Sequence, residues 1–261
     1  MFNRDVHVNT IPDRIRSIYG IVLQHAISRV QFSTELPFRA ATVKTCKRDA
    51  EDFSSCLRLA IQEAWPTFIA GIPELDLPSL DPYFTDSHTA EYSSGSLRGK
   101  LVATDVRTYG LAKARFLSVK PEMSDDFFRL EIDLELPKIF IDGDYVAEGT
   151  ISSFQVGGKG VFNISMEDIR CTWDISGHVA NDRWVVEHFH LIPEVGGMKI
   201  WFSDLFNGNQ DLNRAAMLFV NEYWPVVYRG MLPKLMEIWD THLTQFVNRF
   251  FSKLSFSSVF P

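Results

Sequence analysis

The 261-residue sequence has no hydrophobic run of about 18 residues, the length that a membrane-spanning helix requires. It also has no cluster of basic residues, and its formal net charge is -7. Nucleic acids bind to concentrated positive surfaces, so this charge pattern argues against a nucleic-acid partner. We therefore expect a soluble protein that neither inserts stably into a membrane nor binds nucleic acid.

Catalytic and cofactor-binding signatures are missing as well. The sequence has no Gly-x-Ser-x-Gly elbow, no His-Glu-x-x-His motif and no phosphate-binding glycine loop. Gly157–Gly160 lacks the Ser or Thr and the helix that would follow such a loop, and we predict a hairpin turn there. His188 and His190 would share one face of a strand, but no further pattern completes a metal site. We predict no catalytic residue, no metal and no cofactor.

Cysteine is scarce, with three residues in the whole chain. Cys46 and Cys56 lie ten residues apart across a turn-prone segment. The residues alone are compatible with a small disulfide loop or with two reduced thiols. Cys171 is left over, and its surroundings predict a thiol buried in a strand.

Apolar and aromatic residues are abundant and include 21 phenylalanines. Between Asp211 and Leu254 they recur every three or four residues, which predicts a long helix. Enough of them fall off the main stripe that we expect other elements to enclose most of this helix. Pro225 and Pro233 predict kinks or a division into two or three helices. Asn209 or Asp211 would cap its start.

Upstream of this helix the periodicity changes twice. The apolar spacing from Phe53 to Ile69 predicts a helix that starts after Asp52 and ends at Gly71. The proline-rich segment 71–82 is typical of an extended connection. From residue 97 to 200 the period is two, which predicts an antiparallel meander. Its strands would be separated by turns at 121–126, 142–144, 157–160 and 180–182.

The predicted order of elements is a helix, an extended crossing, a long sheet and a long apolar helix. One face of the sheet is apolar and needs a partner of similar length, which the C-terminal helix can provide. The sequence therefore predicts an α+β fold.

A set of short motifs runs through the chain in a fixed order: Thr45-Cys-Lys-Arg48, Cys56-Leu57, Gly71-Ile-Pro-Glu-Leu75, Leu80-Asp-Pro82, Tyr109-Gly-Leu111, Leu136-Pro137, Asp142-Gly-Asp-Tyr145, Gly158-Lys-Gly160, Leu205-Phe-Asn-Gly208, Asn221-Glu-x-Trp224, Phe250-Phe251 and Phe260-Pro261. Each motif is weak by itself. Together they resemble the takeout and haemolymph juvenile-hormone-binding family of insects. The resemblance covers residues 36–261 and implies a single domain there. It also implies a long C-terminal helix wrapped by a strongly curved antiparallel sheet, the lipid-binding fold of the bactericidal/permeability-increasing type.

The same resemblance implies a secreted protein with a Cys46–Cys56 disulfide, related to insect proteins of feeding and circadian rhythm. Residues 1–35 would then hold a leader or a variant signal segment. Arg14 and Arg16 before the apolar residues 18–23 give only a weak signal of that kind. A short amphipathic helix over residues 13–30 is the alternative.

A sheet curled around a helix leaves an apolar slot wherever side chains do not fill the space between them. We expect this slot to make the protein a secreted, monomeric carrier of a small hydrophobic ligand. The ligand would be a juvenile-hormone-like terpenoid, a fatty acid or another semiochemical. One alternative is an interaction protein with a filled groove that acts on a receptor or a membrane surface. Another is an esterase that acts on such lipids.

The candidates to line the slot are Ile61, Ala64, Trp65, Phe68, Phe140, Tyr145, Phe154, Phe162, Trp173, Phe219, Tyr223 and Val227. Each of them also fits plain core packing, because aromatic stripes at helical spacing are usually packing residues. Tyr145 and Tyr223 would offer a hydroxyl to a ligand ester or acid, or would bond to backbone groups instead.

Overall fold

The computed structural model describes residues 44–94, 97–151 and 154–261. The predicted segment 1–35 lies outside these residues, and the domain boundary at residue 36 stays a prediction. The helices are α1 (Phe53–Ala70), α2 (Gln210–Glu222), α3 (Trp224–Phe251) and α4 (Phe256–Val259). The strands are β1 (Tyr83–Ser94), β2 (Leu97–Tyr109), β3 (Arg115–Ser124), β4 (Phe127–Ile151), β5 (Phe154–Ala180) and β6 (Arg183–Phe202).

The first helix follows its sequence pattern closely. α1 begins and ends where predicted, although the Asp52 side chain makes no capping hydrogen bond. Gly71 ends the helix with a φ of 86°, a conformation that favours glycine. Cys46 and Cys56 form a disulfide, so the pairing implied by the family resemblance is confirmed. The disulfide ties the segment before α1 to the helix.

The sheet is antiparallel throughout, with the strand order β1-β2-β4-β5-β6 and with β3 paired to β4 alone. β4 and β5 are 25 and 27 residues long, which corresponds to about 80–90 Å of extended chain. Strands of this length twist and coil strongly within a sheet. The antiparallel meander was therefore predicted correctly in outline, whereas β1 was not predicted.

The turns predicted at 142–144 and 157–160 were wrong, because both segments lie inside long strands. Their glycines permit close packing instead. A Cβ atom on Gly158 would lie 2.0 Å from the backbone oxygen of Asp204, a distance that no side chain tolerates. The glycine thus lets another backbone segment cross the strand. The turn predicted at 180–182 is present between β5 and β6.

The long C-terminal helix is divided, as its prolines predicted. The break falls at Tyr223, and Pro225 lies in the first turn of α3, where a missing backbone donor costs little. Pro233 lies inside α3 without ending it. Asn209 caps α2 by accepting a hydrogen bond from the backbone N–H of Leu212 at 3.1 Å. No helix in the described part of the chain combines the length and hydrophobicity of a membrane span.

Side-chain amides of α2 and α3 pair with the backbone of β6. Asn248 accepts a hydrogen bond from the N–H of Val186 at 2.9 Å and donates to the carbonyl oxygen of the same residue at 2.7 Å. Asn221 pairs in the same way with Ile200, with both distances at 2.8 Å. The backbone groups at the edge of a sheet need such partners, and these two amide pairs supply them.

The spacing of the two amide pairs fits the geometry of both elements. About 40 Å of helix separates Asn221 from Asn248, and about 46 Å of strand separates Ile200 from Val186. The two lengths nearly match, and the later helix residue, Asn248, pairs with the earlier strand residue, Val186. α2 and α3 therefore lie antiparallel along most of β6.

The opposite edge of the sheet reaches the same helix. Tyr83 and His88 of β1 contact Phe246 and His242 of α3, with ring centroids 6.1 and 5.2 Å apart. β1 and β6 are the two outermost strands in the sheet order. Contact of both strands with α3 requires the sheet to curve around the helix, so the predicted fold class is confirmed.

The prediction that other elements enclose most of the long helix was wrong. No residue of α2 or α3 is fully buried, and Leu218 and Val226 are 69% and 65% exposed. The helices close the open side of the curved sheet. Their inner face therefore meets the sheet, while their outer face meets solvent.

Most buried apolar side chains form one large core at the end of the sheet that holds α1 and the C-terminus. Phe256 and Phe260 pack against Phe128 there, with ring centroids 5.1 and 4.9 Å apart. A smaller core surrounds Tyr145 and Phe162, between β2, β4 and β5. The two cores lie at different positions along the long strands.

Replacing Asn248 with Ala tests the amide pair at Val186. The variant leaves the backbone N–H and C=O of the buried Val186 without these partners, and we expect its free energy of unfolding to fall by about 1–3 kcal/mol. The control Gln245→Ala removes an exposed side chain from the same helix and should change stability by less than about 0.5 kcal/mol. Urea denaturation followed by circular dichroism measures both. Equal losses in the two variants would contradict the role of the amide.

Candidate functional site

The inner face of α3 changes character along the helix. Leu243, Val247 and Phe251 pack against the large core. Steps of three or four residues toward the N-terminus continue this face, through Trp239, Leu235, Leu232 and Tyr228. These four side chains are half-buried but belong to neither core. The N-terminal half of α3 therefore presents an apolar, incompletely packed surface to the interior of the sheet.

Two open recesses flank this half of α3. The recess on the β6 side has a volume of about 440 Å³ and is lined by Leu232, Pro233 and Met236 together with polar groups. The recess between α3 and β1 has a volume of about 460 Å³ and includes Ile238 and His242. Both recesses open broadly to solvent.

Tyr228 places a hydroxyl on the face of α3 that is turned toward the interior of the sheet. Burial raises the pKa of Tyr228 to about 12, and the nearby Cys171 contributes less. Cys171 is a buried thiol of β5, as the sequence predicted, and burial raises its pKa to about 12 as well. The Tyr228 ring thus faces a central strand in weakly polar surroundings. Such a hydroxyl can donate to or accept from a polar group of a ligand.

Several candidates from α1 and β5 meet in the large core. Ile61, Trp65, Phe68 and Trp173 all pack there, and Ala64 is buried on the same helix. The rings of Trp65 and Trp173 lie 5.8 Å apart. These residues therefore pack against one another at the end of the interior that α1 covers.

Tyr145 and Phe162 meet in the smaller core. Tyr145 is 1% exposed. Its hydroxyl donates to the carbonyl oxygen of Asp204 at 2.5 Å and accepts from the N–H of the same residue at 3.0 Å. The backbone thus uses both hydrogen-bonding capacities of this hydroxyl.

The remaining candidates are dispersed. Phe140 is half-buried on β4, and Val227 is half-buried on α3. Phe219 and Tyr223 lie 4.9 Å apart, ring to ring, and are 60% and 51% exposed, which places them on the outer side of the helices. Phe154 belongs to β5, but its side chain lies outside the described residues.

Two polar residues at this site were missed from the sequence. Tyr228 shares its helical face with Leu232 and Leu235, a relation that the apolar stripe alone did not reveal. Asp240 lies next to the histidine pair of β6, although 52 residues separate it from His188. The sequence signal for Asp240 is weak, because it is one of two carboxylates, with Glu237, within a strongly apolar stretch.

A second pair of histidines lies at the β1 side of α3. His88 and His242 line the recess there together with Lys234 and Glu237. The pKa of His88 lies below its ordinary value, mainly because the ring is partly buried and secondly because of the nearby His242. His88 is therefore neutral at pH 7.

A long helix held in a curved antiparallel sheet, with an apolar face turned inward, defines a class of fold that solved structures contain. The crystal structure of takeout 1 from Epiphyas postvittana superposes with a TM-score of 0.69, over 83% of this chain and 99% of that one, at 22% sequence identity. The family model described as "Haemolymph juvenile hormone binding protein (JHBP)" matches residues 21–261. The chain belongs to this family, so the family predicted from the order of the motifs is confirmed.

Two relatives carry the same description, "circadian clock-controlled protein daywake". The protein from Drosophila yakuba is 24% identical over 207 residues, covering 75% of this chain and 78% of that protein. The protein from Drosophila melanogaster is 23% identical over 245 residues, covering 89% of this chain and 91% of that protein. The similarity thus extends through most of both chains.

The lowered pKa of His88 predicts a pH dependence of stability. Below about pH 6.5 the unfolded chain binds a proton at His88 that the folded protein resists, so the free energy of unfolding should fall with acidification. His88→Asn should weaken this dependence, and Thr89→Ala, which alters an exposed neighbour without a titratable group, should not. Urea denaturation at pH 7.5 and pH 5.5 measures the slope of the free energy of unfolding against pH for each protein. The same slope in wild type and His88→Asn would refute the prediction.

Proposed function

We propose that this protein is a carrier that holds a small hydrophobic molecule between the N-terminal half of α3 and the concave face of the sheet. The observation that carries the proposal is the half-buried apolar face formed by Tyr228, Leu232, Leu235 and Trp239. An apolar guest would be stabilised there by about 0.8 kcal/mol for each CH₂ group removed from water. No catalytic role is part of the proposal.

The class of ligand follows from the dimensions and polarity of this face. Tyr228 and Trp239 are separated by about 16 Å of helix, which suits an extended molecule better than a compact one. Tyr228 supplies one hydroxyl, which suits an ester or acid head group. We therefore propose a juvenile-hormone-like terpenoid, a fatty acid or a similar semiochemical as the ligand, and the description of the family supports the first of these.

We place the ligand entrance at the seam between β1 and α3. β6 is tied to the helices by the amide pairs of Asn221 and Asn248. β1 meets α3 through the ring contacts of Tyr83 and His88. Ring contacts are weaker and less directional than paired amide hydrogen bonds, so this seam should open first.

Secretion is part of the same proposal. The Cys46–Cys56 disulfide would persist in an oxidising compartment and would be reduced in the cytosol. The word haemolymph in the family description agrees with an extracellular location.

An interaction surface is the second candidate function. Leu218, Phe219 and Val226 form an apolar patch on the outer face of the helices, each at least 60% exposed. Exposed patches of this kind serve contacts with protein partners or membrane surfaces. Variants on the inner and outer faces separate this function from that of a carrier.

Leu235→Gln tests the inner face, and Leu218→Gln is its matched control on the outer face. In the first variant the amide lies among apolar groups without a partner, and we expect ligand affinity to fall at least about tenfold, or about 1.4 kcal/mol. The second variant should bind like the wild type. Displacement of the fluorescent probe N-phenyl-1-naphthylamine by terpenoid esters and fatty acids measures both.

The outcome of this comparison decides which face of the helices binds the ligand. Thermal unfolding first verifies that both variants are folded. Loss of uptake in Leu218→Gln, with normal uptake in Leu235→Gln, would place the ligand on the outer surface. Failure of the folded wild-type protein to take up any molecule of the panel would end the carrier proposal.

Tyr228→Phe tests the polar contact, with Tyr145→Phe as its control. We expect loss of the Tyr228 hydroxyl to weaken binding of a terpenoid methyl ester by about 0.5–1.5 kcal/mol and to leave the corresponding hydrocarbon unaffected. Tyr145→Phe removes a hydroxyl bonded to Asp204 and should lower stability by about 1 kcal/mol without changing ligand preference. Titration calorimetry with the ester and the hydrocarbon gives the ratio of the two binding affinities. An unchanged ratio in Tyr228→Phe would contradict the assigned contact.

A further inference from the structure

Two histidines and one carboxylate converge at the seam between β6 and α3. His188 and His190 share one strand face, and their rings are stacked with centroids 5.1 Å apart. Asp240 reaches them from α3: its Oδ2 lies 3.0 Å from His188 Nδ1 and 3.7 Å from His190 Nε2. The three donor atoms all lie within 4.8 Å of one another.

These separations are close to those of a zinc centre. Bonds of about 2.0–2.2 Å to nitrogen and oxygen place the ligand atoms of a tetrahedral site roughly 3.3–3.6 Å apart. The two distances from Asp240 bracket this range. The side chains of His188 and His190 are 57% and 46% exposed, so core packing does not hold the two rings in one orientation.

The structure also holds Asp240 in position for this role. Its Oδ1 accepts hydrogen bonds from the N–H of Phe189 at 2.7 Å and from the hydroxyl of Thr244 at 3.2 Å, so Oδ2 is directed toward the imidazoles. Metal ligands are commonly oriented by such outer hydrogen bonds.

We propose that His188, His190 and Asp240 bind a divalent transition-metal ion, with Zn²⁺ as the best fit. Two imidazoles and one carboxylate form a nitrogen-rich donor set that suits zinc, whereas calcium and magnesium prefer oxygen ligands alone. Three protein ligands leave the fourth tetrahedral position to water. The ion would join β6 to α3 at a point between the two amide pairs. The site is independent of the proposed carrier function.

The location of the ion links it to the surface of the molecule. His190 and Asp240 both line the 440 Å³ recess beside α3, so solvent and metal ions have access to the site. In the described part of the chain, these residues form the one group of three donors with suitable spacing. His88 and His242, on the other side of α3, provide a pair of histidines for comparison.

Titration of chelator-treated, full-length protein with zinc sulfate tests the proposal. We expect one ion per chain and a rise in Tm at saturating zinc. His188→Asn with His190→Asn should weaken binding at least about tenfold, whereas His88→Asn with His242→Asn, which removes the same number of imidazoles, should leave it unchanged. Co²⁺ in place of Zn²⁺ should give the visible absorption of a tetrahedral centre in the wild type and in the second double variant only.

Asp240→Asn provides a further variant that keeps an oxygen acceptor for the N–H of Phe189 while removing the charge. It should weaken zinc binding in the same direction as the first double variant. Urea denaturation in the presence of EDTA verifies that each variant is folded. Zinc binding at wild-type strength by the folded His188→Asn, His190→Asn protein, or its loss in the His88→Asn, His242→Asn protein instead, would overturn the proposal. So would the lack of a one-to-one complex in the wild type.

Discussion

The rest of the structure depends on the paired hydrogen bonds between helix amides and the backbone of β6. The edge strand of a sheet exposes N–H and C=O groups that require partners, and Asn221 and Asn248 supply them at Ile200 and Val186. These contacts fix the position of α2 and α3 along the strand and their rotation about the helix axis. From that fixed edge the sheet curves over β5 and β4 until β1 reaches α3 from the other side. The apolar helix is thereby held in a defined register that hydrophobic contacts alone, which are not directional, would not select.

The incomplete burial of the inner face of α3 follows from a mismatch of lengths. The central strands extend for about 80–90 Å, whereas the 18 residues of α1 cover about 27 Å. α1 packs against one end of the sheet, where Phe256 and Phe260 of the C-terminal tail also pack. Side chains therefore fill the interior at that end. Farther along, the inner face of α3 between Tyr228 and Trp239 stays half-buried.

Features decided by neighbouring residues could be predicted from the sequence, and those decided by distant ones could not. The limits of α1 follow from apolar spacing and from Gly71, and the division of the long helix follows from Pro225. The turn predicted at 157–160 was wrong because glycine is equally suited to a turn and to a close approach of two backbones. Only the position of Asp204 beside Gly158 distinguishes the two. The degree to which a sheet curls is likewise a property of the whole strand array, so the exposure of the outer helix face had no local signal.

The same limit applies to the candidate site, and the three tyrosines illustrate it. Tyr145 is buried and Tyr228 is half-buried. The first has its hydroxyl bonded twice to Asp204, whereas partial burial is the main influence on the pKa of the second. A hydroxyl with satisfied partners contributes rigidity, and one in apolar surroundings gains most from a polar group that arrives with a ligand. Tyr223 precedes Tyr228 by five residues, or about 140° around a helix, and it lies on the outer side. Because the amide of Asn248 sets the rotation of α3, a contact at the edge of β6 also determines which tyrosine faces the interior.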